Sequence, residues 1–201
     1  SSSVLRSTVN AAALGAAALG HPATIVERSV ELEIEGPAMV ERLHLVVALE
    51  EVGDLVAWSE YSISFDDDIE LVEASARALS ASGEEVETVP RRRWREETST
   101  GFGLHSSERT VTIPFPKLDV GQQLEVRAVR RHTPAFPTHS VFLQLGAAQR
   151  RLVVRVRKGD QPLRWLAPDD DRFPLVETSD GLSLEVADVP RRETPRFAGS
   201  A

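Results

Sequence analysis

Residues 26–37 read VERSVELEIEGP, and residues 42–49 read RLHLVVAL. In the first stretch Val26, Val30, Leu32 and Ile34 alternate with Glu27, Ser29, Glu31 and Glu33, and Arg28 interrupts the apolar set. In the second, Leu43, Leu45, Val47 and Leu49 alternate with Arg42, His44 and weaker partners. An apolar side chain at every second position is the period of a strand with one buried face, whereas a helix would repeat near every 3.6 residues. Gly36-Pro37 between the two stretches is a turn signal.

The same rhythm extends toward the C-terminus. Ala57, Tyr61, Ile63 and Phe65 face opposite to Trp58, Glu60, Ser62 and Ser64, and the trio Asp66-Asp67-Asp68 closes that run as a turn. Residues 69–79 are alanine-rich, which favours helix, but strands flank them on both sides, so the segment is read as a strand. Ser82-Gly83 is the next turn, with Val86 and Val89 after it. Residues 90–107 hold Pro90, Gly101 and Gly103 with few apolar anchors, and a long exposed loop is expected there. Strand patterning resumes at Val111, Ile113 and Phe115. Leu124, Val126 and Ala128 then alternate with Glu125, Arg127 and Arg130. Val141, Leu143 and Leu145 are read as another strand, and Leu152, Val154 and Val156 oppose Arg151, Arg155 and Arg157 in the next. Leu163 and Trp165 follow. Leu175–Thr178 and Leu182–Val186 flank Ser179-Asp180-Gly181, a hairpin signal. About ten short strands with closely spaced turns and no long amphipathic helix predict an all-β fold, an antiparallel β-sandwich. Residues 1–22 are expected to be an N-terminal linker or helical lead-in, 23–189 the sandwich, and 190–201 a tail or linker.

The formal net charge of −8 argues against nucleic acid and against an anionic membrane surface. The apolar run Ala11–Leu19 is too short to span a bilayer, which needs about 20 apolar residues. The chain has no cysteine, so disulfides, thiolate metal sites and cysteine nucleophiles are excluded within it. No Gly-x-Ser-x-Gly elbow is present. Of the five histidines, His132 and His139 lie seven apart and could meet across a turn as two metal ligands. Without a local carboxylate they are read as ordinary loop histidines. Asp66–Asp68 and Asp169–Asp171 lack the spacing of a calcium loop and read as solvated turns. No catalytic, cofactor or metal residue is therefore assigned.

Two basic groups remain. Arg150, Arg151, Arg155, Arg157 and Lys158 read as the outer face of a sheet. Arg91, Arg92, Arg93, Trp94 and Arg95 combine guanidinium groups with an aromatic ring, a pairing able to fork onto carboxylates and stack on rings. Arg91, Arg92, Arg93, Trp94 and the separate Trp165 form the candidate interaction surface. Trp58 is expected in the core.

Residues 55–160 also carry a resemblance. Leu55–Tyr61, the acidic turn Asp66-Asp67-Asp68, Val72–Gly83 and Ile113–Val126, with its Pro116-Lys117-Leu118-Asp119-Val120-Gly121 segment, resemble the DUF3857 β-sandwich domain. That family is found N-terminal to transglutaminase-like, papain-fold domains in bacterial proteins. Ser82-Gly83 stands where the family commonly has Asp-Gly, and Gly121-Gln122 where it has Gly-Asp. A tyrosine-rich segment is replaced around Phe102 and His105. The resemblance implies a non-catalytic accessory domain, without cofactor, of an exported protein (periplasmic or cell-surface). It would position, gate or supply binding surface for a transglutaminase-like domain of the same polypeptide, with a peptide or glycan as a further ligand. The rival reading is a free-standing carbohydrate- or protein-binding module.

Overall fold

The computed structural model describes residues 23–100, 107–115, 117–133, 139–160 and 170–192. The expected lead-in over 1–22, Leu163, Trp165, Asp169 and the tail beyond Arg192 lie outside these residues.

Eleven strands and one short helix make up the described chain. An eight-stranded sheet has the order β10-β11-β9-β1-β2-β8-β4-β5, and a three-stranded sheet the order β3-β7-β6. The large sheet comprises β1 (Thr24–Glu35), β2 (Ala38–Ala48), β4 (Ile69–Leu79), β5 (Glu85–Thr88), β8 (Gln123–His132), β9 (Ala148–Arg157), β10 (Val176–Thr178) and β11 (Gly181–Val189). The small sheet comprises β3 (Glu60–Phe65), β6 (Arg95–Thr100) and β7 (Ser107–Pro114). Helix α1 (Val52–Ala57) joins β2 to β3. The fold is all-β, as the two-residue rhythm requires. Every strand pair is antiparallel except β1 and β9, which run parallel.

The main core lies between the inner faces of the two sheets. Leu43, Leu45 and Val47 of β2 and Val126 of β8 meet Tyr61 and Ile63 of β3 and Val111 and Ile113 of β7. A second core gathers Leu152, Val154, Leu184 and Val189 of β9 and β11 with Phe173 and the half-buried Val141 and Leu143. The irregular segment 139–147 links the two cores, with Leu145 and Ala147 in the first and Val141 and Leu143 against the second. The alternation of Val141, Leu143 and Leu145 predicts a strand, but the carbonyls of Phe142 and Leu143 bond to side chains instead of a ladder. Arg28 donates to the Phe142 carbonyl at 2.6 Å and Gln149 to that of Leu143 at 2.8 Å.

Four further expectations are corrected. Residues 90–107 are not one exposed loop: Arg91–Arg93 form a 3-10 turn, and Arg95–Thr100 pair with Ser107–Thr112 as β6. Strand β6 is an edge of the small sheet, so it needs no apolar alternation, and its Thr98 and Thr100 suit a strand. Ala57 ends α1 rather than opening β3, because the Asp54 carboxylate accepts the Glu50 and Glu51 amides at 2.7 and 2.9 Å and turns the chain. A bulge between Ile25 and Glu27 puts Ile25 and Arg28, not Val26, on the buried face. Arg130 belongs to the buried parity of Leu124, Val126 and Ala128, not to the outer one.

Candidate functional site

The inner face of β2 reads Glu41, Leu43, Leu45, Val47, and that of β8 reads Leu124, Val126, Ala128, Arg130, His132. The antiparallel register sets Glu41 directly across from Arg130 and Met39 across from His132. Glu41 is 5% exposed, Arg130 8% and His132 6%. One guanidinium nitrogen of Arg130 donates to both Glu41 oxygens at 2.8 Å, and its other terminal nitrogen reaches the Ser64 carbonyl of β3 at 3.3 Å. His132 Nε2 is 2.8 Å from Glu41 Oε2. His139 brings its Nε2 to 3.9 Å from the same oxygen, and its ring meets that of His132 edge-on with centroids 5.2 Å apart. Arg28, buried on β1, extends this polar strip.

Burial works against the Glu41 carboxylate. The hydrogen bond from His132 and the charge and hydrogen bond of Arg130 overcome it and hold Glu41 well below the usual carboxylate range. Burial pulls the His139 ring below its ordinary value against the attraction of Glu41, brings the Arg28 guanidinium down to about 10 and pushes the Tyr61 hydroxyl up.

Glu41, His132 and His139 are a metal-type donor set, their ligand atoms all within 4.8 Å of one another. The carboxylate that the local sequence around His132 and His139 lacks thus arrives from β2, and His132 is a buried strand residue rather than a loop histidine. Charge decides what the set does. Arg130 already neutralises Glu41 across both oxygens, and Arg28 adds a second buried guanidinium. A divalent cation would be a third positive entity in a water-poor site. The cluster serves as a cross-link between β2, β8, β3 and segment 139–147.

The predicted interaction surface is a corner of the small sheet. Arg91 stacks over the Trp94 ring at 5.1 Å, and Trp94 Nε1 donates to the Val89 carbonyl at 3.2 Å. Arg93 pairs with Glu87 at 2.9 Å, and Arg95 pairs with Glu60. Trp94 packs half-buried against the core, so its ring is a structural prop as much as a surface. Arg92 is exposed. Trp58 is 1% exposed and belongs to the core. Trp165 is not among the described residues.

Three arginines of the second basic group, Arg150, Arg151 and Arg155, are answered by acids. Arg151 bridges Glu27 and Glu185, both at 2.9 Å, while Arg155 meets Glu31 at 3.0 Å and Arg150 meets Glu50 at 2.8 Å. Toward the other edge, Glu125 accepts from Arg77, from Arg127 at 2.9 Å and from His44 at 2.8 Å. Burial would raise this carboxyl, but those three donors hold it at about 2. The acidic turns are also occupied: Asp66 Oδ1 takes the Asp68 amide at 2.9 Å, and Asp170 holds Arg172. A shallow cleft of about 170 Å³ opens beside Asp66, Asp67, Glu70, Arg109 and Arg131. That is below the usual size of small-molecule sites, about 300–1,000 Å³.

Residues 39–192 match the model of DUF3857, described as a domain of unknown function with a solved structure. Among solved structures, a "putative protease" from Parabacteroides distasonis superposes with a TM-score of 0.66 at 14% identity, over 89% of this chain and 38% of that one. An M1 zinc metallopeptidase of Deinococcus radiodurans gives 0.36 at 16% identity, over 85% of this chain and 40% of that one. A "putative nutrient binding protein" of Legionella pneumophila gives 0.39 at 10% identity, over 89% and 66%. The chain spans about two fifths of the length of the first two. No curated protein matches it by sequence.

Proposed function

Because this chain belongs to the DUF3857 family of domains, we propose that it is a non-catalytic accessory β-sandwich of a longer exported polypeptide, positioning or gating a transglutaminase-like catalytic domain. One observation carries this reading: the same fold occupies 38% of the Parabacteroides chain while covering 89% of this one. A sandwich embedded in a chain more than twice its length has a neighbour to serve. The internal chemistry supports the same view. Among the described residues, the buried groups Arg130 and His132 are both bonded to Glu41.

The test uses the polypeptide encoded by the whole reading frame and a version lacking residues 23–192. Amine incorporation into a glutamine peptide, and hydrolysis of that peptide, are measured for both. Loss of the sandwich should lower kcat/KM at least about tenfold, or drop the remaining domain's melting temperature, while the catalytic groups stay intact. A reading frame without a second domain defeats the proposal. So does a deletion that leaves both rate and stability unchanged.

A further inference from the structure

Burial deepens along segment 139–147. His139, Val141 and Leu143 are half-buried and Ser140 and Phe142 exposed, whereas Leu145 and Ala147 lie in the main core. The deep end is also tied to the chain, since the Arg192 amide donates to the Leu145 carbonyl at 2.6 Å. The shallow end is held by the His139 ring in the Glu41 cluster, by Arg28 on the Phe142 carbonyl at 2.6 Å and by Gln149 on that of Leu143 at 2.8 Å.

The contact at His139 is the one that a proton can reverse. Among the described residues, the ionisable groups around its ring are Glu41 of β2 and Arg130 and His132 of β8. Arg28 of β1 and Tyr61 of β3 follow along the same strip. Glu41 supplies a single negative charge, and Arg130 already spans both its oxygens. His132 directs Nε2 at Glu41 from 2.8 Å, and that nitrogen donates whether the ring is neutral or charged. His139 stands farther off, at 3.9 Å, with its ring centroid 5.2 Å from that of His132. A proton on His139 adds a cation beside Arg130 and Arg28 with no further carboxylate to answer it, and burial already disfavours the charged ring. The His139 side chain is 14% exposed against 8% for His132, so water reaches it more readily.

We propose that His139 is a proton-operated latch: on taking a proton from water its ring leaves the Glu41 cluster, and residues 139–143 lift from the seam between the two cores while the strands stay paired. The strands stay because Arg130 and His132 keep their bonds to Glu41, and Leu145 and Ala147 keep the deep end seated. Lifting uncovers Val141, which packs against both cores, so acid opens apolar surface at the seam without unfolding the sandwich. A closed ring that holds its proton less tightly than an open one loses ground below the ordinary histidine value of about 6.5. Between pH 7.5 and 5.5 the ratio of open to closed therefore rises by up to about tenfold. The latch is independent of the accessory function.

The chain has no cysteine, so Val141→Cys gives a single thiol at the seam, Val86→Cys an exposed reference and Val126→Cys a core one. Each is labelled with dithiodipyridine, which reacts in acid as well as at neutral pH, and its rate is divided by that of Val86→Cys. From pH 7.5 to 5.5 this ratio should rise at least about threefold and at most about tenfold for Val141→Cys, and stay level for Val126→Cys. Adding His139→Gln to Val141→Cys should make the ratio level across that range. Adding His139→Lys should bring it at pH 7.5 to the value that Val141→Cys alone reaches at pH 5.5. In the unsubstituted chain, the His139 ring proton should titrate over the same range and end at the NMR position of an exposed histidine. That measurement decides the matter if Val141→Cys itself loosens the seam. A rise smaller than about threefold, an equal rise at Val126→Cys, or a rise that survives His139→Gln overturns the latch. So does a His139→Lys ratio that stays low, or a ring that titrates without changing its surroundings.

Discussion

Replacing Glu41 by alanine strands a buried guanidinium. In the parent, one Arg130 nitrogen reaches both Glu41 oxygens at 2.8 Å, His132 Nε2 adds a third contact at 2.8 Å, and all three residues are less than a tenth exposed. Removing one member of such a pair leaves an uncompensated charge in a water-poor site, at a cost of about 3–5 kcal/mol. At about 2–4 °C per kcal/mol for a domain of this size, the melting temperature should fall by about 6–20 °C. The companion variant Glu41→Leu/Arg130→Met removes both charges and keeps similar volume, so it should recover most of the loss. A residue of about 1–3 kcal/mol should remain because His132 loses its acceptor. Urea denaturation of the parent, Glu41→Leu, Arg130→Met and the double variant closes the cycle. If Glu41→Ala costs less than about 1 kcal/mol, or the double variant is no better than the single ones, the cluster is not a desolvated cross-link.

The remaining predictions concern other parts of the domain. Burial lowers the folded-state pKa of His139, so the unfolded chain takes up the proton first, and stability should decline as pH falls below about 6.5. Unfolding curves for His139→Gln should be flatter across pH 7 to 5, and an unchanged slope would refute the buried neutral ring. Glu125 is lowered from 4.5 to about 2, so its contribution is full above about pH 4.5 and fades down to about pH 2; Glu125→Gln should remove part of the acid lability seen in an acid titration followed by circular dichroism. Gly181→Ala should destabilise by more than about 2 kcal/mol, because the added carbon would sit 1.8 Å from the Val156 carbonyl oxygen where β11 pairs with β9; unchanged melting would contradict that close approach. Arg150, Arg151 and Arg155 are paired with acids, so the chain should pass unretained through heparin at 150 mM salt, a condition set by the screening length of about 8 Å; retention would show free positive charge.

Strands are legible wherever one face is apolar at every second position, as in β1, β2, β3, β8 and β9. Strand β4 is legible too, although Ala74, Ala76 and Ala78 lean to helix, because its neighbours demand a partner in the sheet. Three of the corrected segments take structures that an edge position or polar contacts set. β6 is bonded on one side only, α1 is turned by Asp54, and segment 139–147 is tied by Arg28 and Gln149. The candidate cluster leaves one clear trace. Glu41 stands two residues before Leu43, and Arg130 and His132 continue the parity of Leu124, Val126 and Ala128. Charges on the buried parity of two strands require partners, and only the pairing of β2 with β8 reveals that they are each other's. That His139 could meet His132 across a turn is legible from their spacing, whereas their shared approach to Glu41 is not, because it depends on the pairing of β2 with β8.

These buried charges also constrain register. Apolar contacts alone would tolerate a two-residue slip of β8 against β2, since Leu, Val and Ala all fit the same face. Such a slip would set Glu41 opposite Ala128 or His132 instead of Arg130 and leave the guanidinium without its carboxylate. The cluster thereby fixes the end of the sandwich near Gly36 and His132 by chemistry that is complete within the domain. The opposite end, with α1, is held by apolar packing on its inner side and presents valines on its outer one. That asymmetry sets where substitutions should act. Changes at Glu41 should destabilise the sandwich itself, whereas a polar change at the exposed Val52 or Val56 should leave its melting unchanged.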